Sequence, residues 1–186
     1  QRRSSNSYSY KMRDTILFGD CRETLKQFDE QARMCVTSPP YYGLRDYGGE
    51  EYQIGQEQTP EEFIEQLVSV FREVRNVLTD DGTLWVNLGD SYYNYRPGKG
   101  QALVKQTVSK TKQDLPDKCS KRANKLQGLK EKDLIGIPWM FAFAMRNDGW
   151  YLRQDIIWHK PNPMPESVRD RCTKAHEYIF LFSKNK

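Results

Sequence analysis

The sequence predicts an α/β fold in which apolar strands alternate with amphipathic helices. Three observations lead to this prediction. A long helix begins after Thr59, a suitable N-cap whose capping box is completed by Glu62. The apolar run 83–88 has the character of a buried parallel strand. Two further strands, 150–159 and 174–182, are expected to form a terminal antiparallel pair.

The composition is that of a globular domain. Of the 186 residues, 37% are hydrophobic and 29% are charged, and the net charge is +4. No apolar run approaches the roughly 18 residues that a membrane span needs. The four cysteines form no C-x-x-C pair, so we expect neither a zinc site nor disulfides, and an intracellular location. The polar start without an initiator methionine indicates a piece of a longer protein.

The first elements are an arm, a strand and a helix. Residues 1–13 are predicted to be a flexible basic arm in front of one domain, residues 14–186. Residues 14–18 are predicted to form a short strand that ends at Gly19, and an amphipathic helix follows. Asp20 lies between the two, and aspartate is a preferred helix N-cap.

The segment Val36-Thr37-Ser38-Pro39-Pro40-Tyr41-Tyr42 follows a short apolar run and organises the chain. Each proline restricts its own φ and favours extended geometry in the preceding residue, so a buried strand is expected to end here. Ser38 and the Pro39 carbonyl then lie at the carboxyl edge of a strand, where open α/β sheets bind ligands. The glycine-rich stretch after it is expected to be a mobile loop, with Arg45 as a candidate phosphate or base contact. A plain surface turn is the alternative.

A second polar and aromatic cluster follows the strand 83–88, which a turn at residues 80–82 precedes. We expect this cluster to converge with the first one, because neighbouring parallel strands end at the same edge of a sheet. Asn87 or Asp90 is expected to assist Ser38 there. The alternative for Asp90 is a capping role at a strand-end turn.

The remaining sequence is basic. Residues 94–132 are predicted to be a flexible basic insertion that lies along DNA phosphates, or else a solvated linker. A helix is expected from residue 133 to Gly149. The loop between the last two strands has several cations beside aromatic and apolar residues, which suits a grip on nucleic acid. His159 and His176 have no partners at metal-ligand spacing, so no metal site is expected.

These segments, in this order, resemble the β-class of DNA amino-methyltransferases. Ser38-Pro39-Pro40-Tyr41 looks like their (Asp/Asn/Ser)-Pro-Pro-(Tyr/Phe/Trp) signature, and the likeness extends over about residues 14–184 apart from the basic insertion. The resemblance implies a Rossmann-like sheet that uses S-adenosylmethionine to methylate an exocyclic amine of a flipped-out base in double-stranded DNA. Serine at the first signature position looks more like the cytosine-N4 enzymes than the adenine-N6 enzymes.

The resemblance also implies roles for individual residues. Ser38 and the Pro39 carbonyl would accept the hydrogens of the amine, and Tyr41 would stack on the base. The implied catalytic residues are Ser38, Pro39, Pro40 and Tyr41. The implied cofactor-binding residues are Asp20, Thr37 and Ser38. The implied contacts to the target base or DNA are Tyr42, Arg45, Asn87, Asp90, His159, Lys160, Arg169, Arg171 and Lys174.

One departure from the family pattern is clear. The apolar-Asp-Pro-Phe-x-Gly-x-Gly segment that holds the methionine part of the cofactor does not occur in this sequence. In this class it lies C-terminally, so we expect a separate cofactor-binding half and an inactive isolated chain. The alternatives are an adenine-N6 enzyme, a non-catalytic DNA-binding remnant and a methyltransferase for RNA or a protein amide. The oligomeric state and the recognition sequence stay open.

Overall fold

A four-stranded mixed sheet organises the part of the chain that this computed structural model describes, residues 14–28, 31–44, 53–93 and 128–186. The strands are β1 (Ala32–Thr37), β2 (Leu78–Leu88), β3 (Tyr151–His159) and β4 (His176–Ser183), in the spatial order β1-β2-β4-β3. The helices are α1 (Cys21–Thr24), α2 (Pro60–Val77) and α3 (Ile137–Asn147). Strands β1 and β2 are parallel, whereas β4 is antiparallel to both β2 and β3. The predicted α/β fold with a terminal antiparallel pair is confirmed.

The helix α2 connects the two parallel strands and begins where the sequence predicts. The Thr59 hydroxyl accepts a hydrogen bond from the Glu62 backbone N–H at 3.2 Å, and the Glu62 carboxylate accepts one from the Thr59 N–H at 3.3 Å. These reciprocal bonds satisfy two N–H groups that the start of a helix leaves without partners. Pro60 occupies the first turn, where its missing N–H costs nothing.

The hydrophobic core lies between one face of the sheet and the helices α2 and α3. Phe71 of α2 packs on Phe141 of α3 with ring centroids 5.4 Å apart, and Trp139 packs on Phe180 of β4 at 5.3 Å. Alternate residues of β2 point to this face and are buried, because successive side chains of a strand point to opposite faces. This core fixes β2 and β4, which provide residues of the site described below.

The opposite face of the sheet carries apolar side chains that the described residues leave largely open. Met34 and Val36 of β1 are 58% and 68% exposed, and Trp158 of β3 is 54% exposed. The prediction that β1 is a buried strand was therefore wrong. The reason is that no described element covers this face of the sheet.

Two predicted boundaries near these strands differ from the structure. Residues 14–18 form no strand, because no described strand pairs with them, and Phe18 is 90% exposed. The turn expected at residues 80–82 is instead an irregularity within β2, where the register against β1 shifts between the pairs Ala32–Leu78 and Met34–Thr83. The ladder continues past it in both directions, so no reversal of the chain occurs.

The helix α3 begins at Ile137, later than the predicted residue 133. Gly136 precedes it with φ +87°, and Pro138 then falls in the first turn, where a proline is tolerated. The predicted stop at Gly149 is confirmed, since this glycine has φ +101°, a left-handed conformation that ends a helix at little steric cost.

Several predictions concern residues outside the described ranges. They include the basic arm 1–13, Arg45, and residues 94–127 of the basic insertion. Within the described ranges, none of the helices combines the length and apolar character that crossing a bilayer would require.

Candidate active site at the carboxyl ends of β1 and β2

The segment Ser38-Pro39-Pro40-Tyr41 leaves the sheet directly after β1, which ends at Thr37. Asn87 lies near the carboxyl end of the neighbouring parallel strand β2. The Ser38 hydroxyl donates to Asn87 Oδ1 at 3.4 Å. The predicted convergence of the two strand-end clusters is thus confirmed for these two residues. Ser38 itself is exposed, so its oxygen is open to a ligand.

Tyr41 is held in one position by contacts at both its hydroxyl and its ring. The hydroxyl oxygen lies 2.7 Å from Asn87 Oδ1 and 2.8 Å from Glu177 Oε2. The ring lies against Gly89, where an added Cβ would be 2.7 Å from Tyr41 Cε2. Burial, together with the neighbouring Glu177 carboxylate, raises the pKa of Tyr41 to about 12. The phenol is therefore neutral at physiological pH.

Glu177 is a site residue that sequence reasoning missed. It lies near the start of β4, opposite Trp158 in β3, and its carboxylate meets Tyr41. Lys160 forms an ion pair with it. Burial acts to raise the pKa of Glu177, but hydrogen bonds from Lys160 and Tyr41 outweigh burial and hold the pKa below its ordinary value. The available signal was a carboxylate at the start of the apolar run 178–182.

Asp90 caps the helix α3 in the structure. Its carboxylate accepts hydrogen bonds from the backbone N–H groups of Gly136 and Ile137, both at 3.0 Å, and from that of Ser91 at 2.9 Å. Because Gly136 has no side chain, a residue distant in sequence supplies the cap. The structure thus provides the capping alternative, and a contact between Asp90 and the target base stays a prediction.

Tyr42 belongs to the core, in contrast to its neighbour Tyr41. It is 9% exposed, its ring centroid is 5.4 Å from that of Phe63, and its hydroxyl donates to the Gln58 carbonyl at 3.3 Å. Burial raises its pKa to about 12. Tyr42 therefore has a packing role, and little of its surface is exposed for the predicted contact with DNA.

Asp20 directly precedes α1, and Thr37 is the last residue of β1. The Asp20 carboxylate caps α1 and also accepts from the Arg22 side chain, with Arg22 Nε at 3.0 Å from Oδ1 and 3.1 Å from Oδ2. The hydrogen bond from Arg22 lowers the pKa of Asp20. The cofactor contact of Asp20 stays a prediction, as does that of Thr37.

The predicted DNA-binding cations of the last loop differ in their surroundings. Lys160 is paired with Glu177, and Arg169 is exposed. Arg171 is paired with Glu166 and its guanidinium lies 3.7 Å from the ring centroid of Tyr92, which ties the loop to the end of β2. The Lys174 ammonium nitrogen is buried with no hydrogen-bond partner in the described residues, and burial lowers its pKa. Their contacts with DNA stay predictions.

His159 and His176 are paired across the antiparallel strands β3 and β4. His159 is exposed, whereas the His176 ring packs edge-on against Tyr178 with centroids 5.3 Å apart. Within residues 14–28, 31–44, 53–93 and 128–186, no three His, Cys, Asp or Glu side chains cluster closely enough to hold a metal ion. The arrangement of the site is one of hydroxyl, amide and carboxylate groups around an exposed serine.

Comparison with known sequences relates this chain to DNA methyltransferases. A family model described as "DNA methylase", for the N6/N4 methyltransferases, matches residues 32–186. The type II methyltransferase M.SmaI of Serratia marcescens is 52% identical over 177 residues, which cover 92% of this chain and 56% of the relative. M.Cfr9I of Citrobacter freundii is 49% identical over 172 residues, covering 92% of this chain and 54% of the relative. The chain thus spans about half the length of these curated relatives.

Solved structures share the fold. TTHA0409 from Thermus thermophilus, solved in complex with S-adenosyl-L-methionine, matches 90% of this chain and 52% of its own, with a TM-score of 0.57 and 23% identity. The cytosine-N4-specific PvuII DNA methyltransferase matches 90% of this chain and 48% of its own, with a TM-score of 0.56 and 20% identity. At these identities the likeness concerns the fold alone.

Proposed function

Because the chain belongs to the DNA methylase family of N6 and N4 methyltransferases, we propose that its full-length protein methylates an exocyclic amine in double-stranded DNA. S-adenosylmethionine is the cofactor and supplies an electrophilic methyl group. The observation that carries the proposal is the meeting of Ser38, Asn87 and Tyr41 at one edge of the sheet. An exposed hydroxyl beside a fixed aromatic ring suits a planar base that presents an amine.

The described residues act by positioning the base. The target base must leave the stack, since an amine within the duplex cannot be reached. We infer that it stacks on the Tyr41 ring, because an aromatic face accepts any base plane. The Ser38 hydroxyl and the Pro39 carbonyl accept the two hydrogens of the amine and direct its lone pair outwards. Such orientation supplies much of the rate of a transfer between two bound reactants.

The cofactor fits only in part among the residues of this chain. Ser38 is exposed directly after β1, and the exposed Asp20 carboxylate at the start of α1 offers acceptor oxygens. A glycine segment for the methionine part of the cofactor does not occur in the sequence. We therefore infer that a second, cofactor-binding half covers the apolar face formed by residues such as Val36, and that residues 1–186 alone do not transfer methyl groups.

Cytosine N4 is the proposed target atom. Serine at position 38 supports this choice, since the resemblance associates serine with cytosine-N4 enzymes and aspartate with adenine-N6 enzymes. The names of the type II relatives support a restriction–modification role. We infer from the proposed DNA substrate that the protein acts in the cell with the DNA, in the bacterial cytoplasm. The cations Lys160, Arg169 and Arg171 lie in the loop that would approach the DNA phosphates.

The experiment that tests the proposal is a nucleoside mass spectrum of DNA from cells that express the full-length protein. We expect N4-methylcytosine with the native protein and none with the matched Ser38→Ala variant, because the variant lacks the hydroxyl that holds the amine. A peak for N6-methyladenine alone would overturn the choice of base. No methylated base at all would overturn the proposed activity.

A further inference from the structure

The hydrogen-bond network around Tyr41 is one proton short when Glu177 is ionised. The Tyr41 hydroxyl oxygen makes two short contacts, 2.7 Å to Asn87 Oδ1 and 2.8 Å to Glu177 Oε2. Both partners are acceptors, and a phenol has a single proton to donate. One of the two contacts therefore joins two oxygens without a hydrogen between them.

The orientation of the Asn87 amide does not remove this shortage. Asn87 Nδ2 donates to the Tyr178 carbonyl at 3.2 Å, so Oδ1 faces Tyr41. Turning the amide round would place its oxygen against the Tyr178 carbonyl, which is also an acceptor. Either orientation leaves one oxygen–oxygen contact without a proton.

A single proton on Glu177 would complete the network. Glu177 would then donate to the Tyr41 oxygen, and Tyr41 would donate to Asn87. The Ser38 and Tyr41 hydroxyl oxygens both contact Asn87 Oδ1, at 3.4 Å and 2.7 Å, and a hydrogen bond from Ser38 acts to lower the pKa of Tyr41. A continuous path of oxygen atoms thus leads from the exposed serine, through the phenol, to the carboxylate of β4.

We propose that Glu177 accepts, through Tyr41, the proton that methylation releases from the target amine. The inference rests on the proposed function. When the amine nitrogen bonds to the methyl carbon, the carbon–sulfur bond breaks with its electron pair on sulfur, and the nitrogen becomes positively charged. It regains neutrality by losing one proton to Ser38 Oγ, while the proton of Ser38 passes to Tyr41 and that of Tyr41 passes to Glu177.

Lys160 contacts the other oxygen of the Glu177 carboxylate and supports its proposed role as a proton acceptor. Its ion pair keeps Glu177 ionised, and therefore ready to accept, before the reaction. The Lys160 side chain is 43% exposed, so the proton can leave for solvent once the product departs. In the proposed relay Glu177 acts through Tyr41, so it is a positioning residue.

The experiment compares Glu177→Gln with Glu65→Gln in the full-length protein. Glutamine keeps the shape of the side chain and can donate to Tyr41, but it cannot accept the proton. Single-turnover incorporation of labelled methyl groups into unmethylated bacterial genomic DNA is measured at saturating cofactor and DNA, and the KM for each substrate is measured from steady-state rates at varied concentrations. We expect Glu177→Gln to lower the rate at least tenfold while the KM for each substrate changes less than twofold. Glu65 is exposed on α2, and its variant should match the native rate.

The outcomes separate this inference from the proposed function. A native protein that methylates no DNA overturns the proposed function itself. An active native protein with an equally active Glu177→Gln variant overturns only the inference, because a purely structural hydrogen bond is rescued by glutamine. A loss confined to KM also overturns it, since proton acceptance concerns the chemical step.

The Lys160→Met variant provides a test that does not require a change at Glu177. The charged and titratable groups around Glu177 in the described residues are Lys160 after β3, Lys174 before β4 and Tyr41 after β1. Without Lys160, Glu177 loses a hydrogen bond and a positive charge that both lower its pKa, so its pKa rises and the carboxylate is protonated at higher pH. We expect the acidic limb of the single-turnover rate against pH to move to higher pH in Lys160→Met. An unmoved limb overturns the inference.

Discussion

At the scale of single residues, Gly89 determines where the Tyr41 ring can lie. The ring occupies the space in which any other residue would place its Cβ, at 2.7 Å from Tyr41 Cε2 and 3.0 Å from Cδ2. This close approach brings the phenol oxygen to Asn87 and Glu177. The glycine therefore acts on the site through packing, and neither the sequence pattern nor the resemblance singled it out.

We predict that Gly89→Ala lowers methyl transfer at least tenfold in the full-length protein while the fold is retained. The new methyl group displaces the Tyr41 ring, which is the movable end of a side chain, so overpacking should cost about 1–2 kcal/mol of stability. Single-turnover rates and urea unfolding measure the two effects. A double-mutant cycle with Tyr41→Phe provides the control, since losses that act through the same hydroxyl should not add. A native rate in Gly89→Ala would contradict the assigned packing role.

A site residue could be predicted from the sequence when a local signal marked it, and could not when its role depended on a partner distant in sequence. Ser38 and Tyr41 were found because prolines force the chain out of the strand beside them. Glu177 was missed because its partner, Tyr41, is 136 residues away in sequence and meets it only across two strands. No local pattern distinguishes a carboxylate that faces a phenol from one that faces water.

At the scale of elements, α3 depends on a cap from a different part of the chain. The Asp90 carboxylate accepts from the N–H groups of Gly136 and Ile137, both at 3.0 Å, and its charge lies at the positive end of the helix dipole. The helix begins where Asp90 can reach it. The sequence predicted a start at residue 133, but the cap that decides the start is contributed by Asp90, which follows β2.

We predict that Asp90→Ala lowers the free energy of unfolding of the full-length protein by about 1–2 kcal/mol, because the N–H groups of Gly136 and Ile137 lose their acceptor. The matched Asp90→Asn variant keeps an acceptor oxygen but loses the charge, so its loss should be about half as large. Urea unfolding at neutral pH measures both. Equal stability of the alanine variant and the native protein would show that the cap is not needed.

At the scale of the whole molecule, the sheet has one covered face and one apolar face that the described residues leave open. Met34 and Val36 of β1 and Trp158 of β3 are more than half exposed on this side. An apolar surface of this kind marks a contact site rather than a finished exterior. The curated relatives are about twice as long as the part that this chain matches, 54–56% of each, which is consistent with a second half on this face.

We predict that Val36→Lys destabilises the full-length protein by about 2 kcal/mol, because the second half would bury the new charge. The control Glu65→Lys, on the exposed side of α2, should change stability by less than about 0.5 kcal/mol. In a separate methyl-transfer assay, residues 1–186 alone should transfer no methyl groups to DNA. An unchanged free energy of unfolding in Val36→Lys would argue against a covered face. Methyl transfer by the isolated chain would overturn the need for a second half.

The sequence by itself determined the elements and the chemistry of the strand-end loop. Capping signals, apolar runs and prolines act over a few residues, so α2, β2 and the exit at Ser38 follow from local physical rules. Only the tertiary structure decided which groups face Tyr41, where α3 begins and which strand lies at the edge. These depend on the strand order β1-β2-β4-β3, which brings together residues distant in sequence, such as Ser38 and Asn87 at a separation of 49.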